Sequence, residues 1–281
     1  MLTTLKDVLT FAEEKNAAIP HFNIDNLETI EAIMDGVEAE QWPVILSVGQ
    51  GAIKAGQVVY LSDLVKRIAS ETDIPVVLFL DHGLGYEQAK MVLDLGFTSV
   101  MFDGSRLPLE ENIRISRQVK ELAESYGASI ECELGSIGGV EDGMKGGHNL
   151  VDLSQVEPFV QAVHPDALAI GIGNAHGMYK AAPSFDFDRI RACRQMKDIP
   201  PLVLHGGSGT PDPMIRKAIE LGIRKINVAT ELRMAFMEGL EETVGKRDFY
   251  PMLKHAKEKV TAVVVQKIRL FRGSAVWEGK E

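Results

Sequence analysis

Eight short apolar runs punctuate this chain, and longer amphipathic stretches separate them. The runs are IPHFNI (19–24), VILSV (44–48), VVLFL (76–80), TSVMF (98–102), SIECEL (129–134), ALAIGI (167–172), LVLH (202–205) and IRKINV (223–228). Strands with continuous apolar stretches are buried on both faces, as parallel strands are. The segments between them carry helix signals. Asn26 can cap LETIEAIMDGVEAE, and Gly96, Gly127 and Gly222 close the helical patterns that begin at Tyr86, Leu109 and Pro211. Eight strand–helix units in 281 residues predict an α/β protein of one domain, a closed (β/α)8 TIM barrel. An open doubly wound sheet is the alternative. The segment at 135–152, GSIGGVEDGMKGGHNLVD, fits neither period and reads as a glycine-rich loop, either a mobile catalytic lid or a plain surface loop.

The net charge of −10 comes without any basic block, which argues against nucleic acid or an anionic membrane as partner. It leaves room for an anionic small substrate in a locally positive pocket. The two cysteines, Cys132 and Cys193, are far apart and lack metal-ligand spacing, so a reducing cytoplasm is expected. The opening MLTTLKDVLTFAEEK reads as an amphipathic helix rather than a leader. No apolar run approaches the roughly 20 residues of a membrane span.

In a parallel barrel the reacting groups stand at the carboxyl ends of the strands. Polar residues fall at that end in strand after strand. Asn23 ends the first, Asp81 and His82 exit the third, Asp103 exits the fourth, and Glu131 and Glu133 share one face of the fifth. His176 follows the sixth, His205 ends the seventh, and Asn227 lies near the end of the eighth. Three imidazoles converging on one point make a catalytic zinc shell with a fourth position left open. Asp81, adjacent to His82, cannot easily ligate the same ion; it faces the open position as general acid or base, or orients a ligand. His21, His148, His164 and His255 read as surface or packing residues.

HGGSGT (205–210) precedes a helix, and its backbone N–H groups can hold a phosphate. Thr230 can cap the helix after the eighth strand. Lys225 has inward parity with Asn227; a structural ion pair is expected there, since a Schiff-base lysine would leave the histidines without purpose. GIGNAHG (171–177) has the wrong spacing for a dinucleotide fingerprint.

Taken together, LDHG, SVMFDGS, ECELGSIGGVEDG, NAHGMY, LVLHGGSG and INVATEL resemble the class II, metal-dependent ketose-bisphosphate aldolases, and KIRLFRGSA (267–275) is similar to that family's closing helix. The resemblance implies cleavage of a phosphorylated ketose to dihydroxyacetone phosphate and an aldehyde. It implies His82, His176 and His205 as ligands of zinc, Asp81 as acid/base at the aldehyde oxygen, and Glu141 as the group moving the proton on the ketone half. It implies a substrate and phosphate site from Gly177, Gly206, Gly207, Ser208, Asn227, Val228, Ala229 and Thr230; Asn23 joins the candidate substrate contacts. A monovalent cation, Na+ or K+, near the phosphate, a displaced metal position at Asp103 and Glu133, and a homodimer or homotetramer are further expectations.

Two positions depart from the bisphosphate pattern. Gly49 stands where a serine is common and Phe79 where a histidine is common, so the distal phosphate is in question and a ketose 1-phosphate is an alternative substrate. Arg233 could meet an anion or be a solvated helix charge. Among rival readings, a metal-dependent hydrolase would want an HxH pair where the first strand reads HFN. An oxidoreductase lacks its glycine fingerprint. A partner-dependent, non-catalytic subunit is at odds with the complete histidine set.

Overall fold

The computed structural model describes residues 1–141, 144–145, 149–179 and 182–279. Eight parallel strands close into the barrel: β1 (Ile19–Asn23), β2 (Val44–Val48), β3 (Val76–Gly83), β4 (Ser99–Phe102), β5 (Ser129–Leu134), β8 (Ala167–Ile170), β10 (Leu202–Leu204) and β11 (Ile223–Val228). β1 pairs with both β2 and β11, so no edge is left open. Three further strands, β6 (Gly138–Glu141), β7 (Met144–Lys145) and β9 (Ala175–His176), form a small separate sheet in the order β7-β6-β9. The segment expected to be all loop therefore carries two strands.

Around the barrel lie α2 (Leu27–Glu40), α3 (Gln50–Lys54), α4 (Val58–Ala69), α5 (Tyr86–Asp94), α6 (Leu109–Ser125), α7 (Leu153–Val163), α8 (Phe187–Arg194), α9 (Asp212–Glu220), α10 (Thr230–Glu241) and α11 (Phe249–Arg272). Asn26 caps α2 as expected, accepting from the Thr29 N–H while Thr29 accepts from the Asn26 N–H. α1 (Leu5–Lys15) covers the lower end of the barrel; its first N–H groups, on Leu5 and Lys6, donate to the hydroxyls of Ser99 and Ser129 at 2.8 and 3.1 Å. Among the described residues no helix is long and apolar enough to cross a membrane.

Register fixes what faces inward. His21 lies beside Asn227, Asn23 beside Ser47, Ser47 beside Phe79, and Glu131 beside Met101 and Ala167. Side chains of paired residues share a face, and every second residue repeats it. The interior is thus apolar on some strands and strongly polar on β1, β5 and β11, whose His21, Glu131 and Lys225 are fully buried.

Candidate active site

At the exit of β3, an acid and an imidazole stand side by side in sequence. Strict alternation would send them to opposite faces. The register of β3 against β4 breaks between Leu80 and Gly83, and His82 takes a left-handed φ of 48°. This irregularity swings His82 toward the side that Asp81 already faces. A non-glycine residue there costs about 1–2 kcal/mol, so something must hold it. Gln50 does: its Nε2 donates to the His82 carbonyl at 3.0 Å, and it exchanges amide hydrogen bonds with Gln88 at 2.9 and 3.0 Å.

The structure brings His82, His176 and His205 together, with ring centroids 4.8–5.7 Å apart and candidate ligand atoms within 4.8 Å of one another. Two carboxylates set the tautomers. Asp103 Oδ2 lies 3.1 Å from His82 Nδ1, and Glu131 Oε1 lies 2.8 Å from His205 Nε2. Each draws the ring proton to its own side. The remaining nitrogens, His82 Nε2 and His205 Nδ1, then face each other 3.1 Å apart as two lone pairs. That contact is repulsive unless a cation or an extra proton lies between them. The donor set, three imidazoles of which two have carboxylate partners, fits a borderline-soft divalent ion. The titration directions of the two rings are opposite. Burial disfavours charge on His82, but Asp81, Asp103 and Glu133 outweigh it and hold the imidazole above the usual histidine range. Burial, His82 and Lys225 hold His205 well below it.

Asp103 is kept ionised despite burial by His82 and by Ser105, whose N–H and hydroxyl donate to Oδ1 at 3.1 and 2.7 Å. Glu133 is the opposite case: burial and the Asp103 charge push its carboxyl up. His82, Asp103 and Glu133 form a second cluster with metal-ligand spacing. Glu133 Oε2 is buried with no hydrogen-bond partner among the described residues, which is the mark of an acceptor awaiting a cation or a proton.

Asp81 is 1% exposed. Asn23 Nδ2 donates to its Oδ2 at 3.3 Å and Asn227 Nδ2 to its Oδ1 at 3.4 Å. Burial works against its charge, but His21 and His82 hold the carboxyl well below the usual range. Beneath lies an inner layer. Lys225 Nζ is 2.9 Å from Glu131 Oε2 and donates to Asn227 Oδ1 at 2.8 Å, the structural pair expected of it. Phe79 is fully buried inside the barrel. Two residues below Asp81 on the same inward face, its ring meets His21 edge-on at 5.4 Å and carries the Lys225 ammonium at 4.7 Å. His21, expected to be a surface or packing residue, lies in this layer too, with Nε2 3.2 Å from Asn23 Oδ1 and 3.6 Å from Asp81 Oδ2.

The glycine motifs turn out to shape the backbone around His176. β9 runs between Gly139 and Gly206, both at positive φ, where a Cβ would meet the His176 and Ala175 carbonyl oxygens at 2.1 Å. Only glycine allows that approach. The Tyr179 hydroxyl accepts from the Ala175 N–H at 3.0 Å and donates to the Gly206 carbonyl at 3.1 Å, lacing Gly177 and its neighbours to the 206–210 loop. The loop's N–H groups are partly committed. Gly207 donates to the Asn227 carbonyl at 2.8 Å and Gly209 to Glu231 at 3.1 Å, so Gly207 does not offer the free N–H expected of it. The Ser208 hydroxyl accepts from the Glu231 N–H at 3.3 Å. Thr230 is the first residue of α10 rather than its cap; Ala229 holds the cap position without a side-chain bond, and Val228 ends β11. Arg233 is neither free nor merely solvated: it forms a two-pronged pair with Asp25, both contacts 2.8 Å. Gly49 is the N-cap of short α3. The Glu141 side chain and His148 lie outside the described residues.

Sequence reasoning missed His21, Gln50 and Gln88. For His21 a signal existed, its i, i+2 relation to Asn23; for the glutamine pair there was none.

Comparison with known proteins identifies the family. The family model for "Fructose-bisphosphate aldolase class-II" matches residues 3–275. A fructose-bisphosphate aldolase of Geobacillus stearothermophilus is 40% identical, covering 97% of this chain and 98% of its own. A 6-phospho-5-dehydro-2-deoxy-D-gluconate aldolase of Bacillus velezensis is 38% identical, covering 97% of this chain and 96% of its own. Among solved structures, the YdjI aldolase of Escherichia coli superposes with a TM-score of 0.87 at 33% identity, covering 98% of each chain.

Proposed function

This chain belongs to the class II fructose-bisphosphate aldolases, metal-dependent carbon–carbon lyases acting on phosphorylated sugars, and from that premise we propose that it splits a ketose 1-phosphate or 1,6-bisphosphate reversibly into dihydroxyacetone phosphate and an aldehyde. The convergence of His82, His176 and His205 at metal-ligand spacing carries the reading. His82, His176 and His205 hold one zinc ion, with Asp103 and Glu133 offering a displaced second position beside His82. When bound, such an ion supplies Lewis-acid stabilisation of negative charge on adjacent carbonyl and hydroxyl oxygens.

The chain's own groups handle the protons. Asp81 takes the proton from the hydroxyl that becomes the aldehyde oxygen, and the electron pair of the breaking bond passes to the ketone half. Glu141, in the segment 135–152 that acts as a lid on the one-domain barrel, then protonates that carbon. Synthesis reverses both transfers. Ser208, Gly177 and Gly206, with Asn227 to Thr230 at the start of α10, cradle the phosphate, helped by a monovalent cation; Gly207 shapes the loop. Asn23 and Asn227, which donate to Asp81, stand where they can also meet substrate hydroxyls. The chain works in the cytoplasm as a homodimer or homotetramer, a reading that its buried free thiols and the exposed Phe249 and Tyr250 favour.

The aldehyde half is the open variable. The relatives' names share a ketone next to a phosphorylated carbon, but one substrate ends in a second phosphate and the other in a carboxylate. Gly49 offers no side chain to either. The test is release of dihydroxyacetone phosphate from fructose 1,6-bisphosphate, tagatose 1,6-bisphosphate, fructose 1-phosphate and 6-phospho-5-dehydro-2-deoxygluconate, each with zinc and with chelator. Chelator-sensitive release from at least one is expected. Release that survives complete metal removal would refute the reading.

A further inference from the structure

The mechanism above leaves one buried imidazole without a task. His21 is fully buried at the centre of the barrel, and its Nδ1 has no hydrogen-bond partner among the described residues. An unpaired buried polar atom costs about 1–3 kcal/mol. A leucine would avoid that cost, so packing does not account for the imidazole. Its other nitrogen faces two acceptors, Asn23 Oδ1 at 3.2 Å and Asp81 Oδ2 at 3.6 Å. A neutral ring there carries its proton on Nε2. Burial and the nearby Lys225 ammonium outweigh Asp81 and Glu131 and hold the ring below the usual histidine range.

The arrangement has a counterpart on the neighbouring strand. On β1, His21 stands two residues below Asn23; on β11, Lys225 stands two residues below Asn227. Each lower residue gives a proton to the amide oxygen above it, at 3.2 and 2.8 Å. That choice turns each amide so that its Nδ2 points at Asp81, one to each carboxylate oxygen. Phe79 touches both His21 and Lys225 and keeps them apart. A flipped Asn23 would set its carbonyl oxygen against the carboxylate.

We infer that His21 is a positioning residue for Asp81: its Nε2–H fixes the Asn23 amide as one arm of a two-sided clamp, whose other arm is Lys225 and Asn227. The inference rests on the assignment of Asp81 as the proton carrier at the aldehyde oxygen. Its test separates the two.

His21→Leu, His21→Gln and Asp81→Ala are compared in the zinc-loaded enzyme. Cleavage is followed on whichever ketose of the panel turns over fastest. Exchange of the carbon-bound hydrogen of dihydroxyacetone phosphate with solvent is followed separately, because that half-reaction involves no aldehyde. His21→Leu is expected to lower kcat for cleavage by about tenfold or more, with KM within about threefold, and to leave hydrogen exchange, zinc content and Tm near the parent values. His21→Gln, whose Nε2–H can reach the same place, restores kcat to within about threefold. In the Asp81→Ala background, His21→Leu adds no further loss. The inference is overturned if cleavage and exchange fall together, if glutamine serves no better than leucine, or if His21→Leu cleaves at the parent rate while Asp81→Ala does not. Undiminished cleavage by Asp81→Ala would remove the role of Asp81 itself, and the clamp with it.

Discussion

Replacing Glu131 by glutamine separates the two demands this carboxylate meets. Its Oε1 accepts from His205 Nε2 at 2.8 Å and from Lys225 Nζ at 3.1 Å, and its Oε2 lies 2.9 Å from the same Nζ. A glutamine has one acceptor and one donor end. If the oxygen faces His205, the NH2 group opposes the Lys225 ammonium, and a fully buried lysine loses its counter-charge. Breaking a buried pair from one side costs about 3–5 kcal/mol. If the amide turns round, its N–H points at His205 Nε2 and forces the ring proton onto Nδ1, the nitrogen that faces His82 at 3.1 Å. That removes a lone pair from the metal cluster, and loss of such an orienting partner lowers metal affinity by about 10–100-fold. Urea unfolding in excess chelator reads the first cost, and competition against a chelator of known affinity reads the second. The expected result is a loss of about 3 kcal/mol or more in the metal-free protein, a zinc affinity lower by tenfold or more, or both. A variant within about 1 kcal/mol of the parent and within threefold in zinc affinity would show that Glu131 sets neither the His205 tautomer nor the lysine pairing.

Three further predictions rest on separate parts of the molecule. Burial pushes the Cys132 thiol up to about 12 and the Cys193 thiol up to about 11, so neither should react with a disulfide reagent at pH 8 until the protein unfolds; fast labelling of the native state would contradict their burial. Gly206→Ala, which places a Cβ 2.1 Å from the Ala175 carbonyl oxygen at a positive φ, should destabilise the fold by about 2 kcal/mol or more and displace His176, read as a lower urea midpoint and lower zinc occupancy. Burial pushes the Glu40 carboxyl up, but Arg272 and Arg269 of α11 outweigh it and hold the group below the usual carboxylate range. Its contribution is therefore complete above the unfolded value of about 4.3 and fades as pH falls through the lower folded value. Glu40→Gln should be about 1 kcal/mol less stable at pH 7, with the gap closing in acid; a gap independent of pH would refute the ion-pair account.

The barrel was legible because its strands are short and apolar and its helices are punctuated. SIECEL and IRKINV coincide with β5 and β11, and LETIEAIMDGVEAE with α2. Strand ends were less legible where the polar residues begin: β3 runs on through Asp81 and His82 to Gly83, while β8 stops at Ile170. The histidine cluster was legible from strand-exit position, but the reason two consecutive residues can share one site was not. It lies in a register break and a left-handed backbone that alternation alone would forbid. The parity that sets Lys225 beneath Asn227 holds equally for His21 beneath Asn23 and Phe79 beneath Asp81, and it places both residues in the layer beneath the acid. The Gln50–Gln88 pair and the squeeze of β9 between two glycines depend on contacts between distant segments, which no local pattern announces.

Lys225 joins the two halves of the site. Its Nζ meets Glu131, which sets the His205 tautomer, and Asn227, which faces Asp81. The metal cluster and the acid/base are thus held by one cation, two residues below the floor of the pocket. The same contacts explain why this lysine is not the nucleophile that a buried lysine in a barrel can be. A Schiff base needs a bare amine with room for a carbonyl carbon. Here the nitrogen lies between a carboxylate, an amide oxygen and the Phe79 ring, fully enclosed beneath Asn227. The charge that a Schiff-base lysine would have to give up is the one that holds Glu131 and Asn227 in place. A polar core that would be a liability in a purely structural barrel thus holds Glu131 and Asn227 in place.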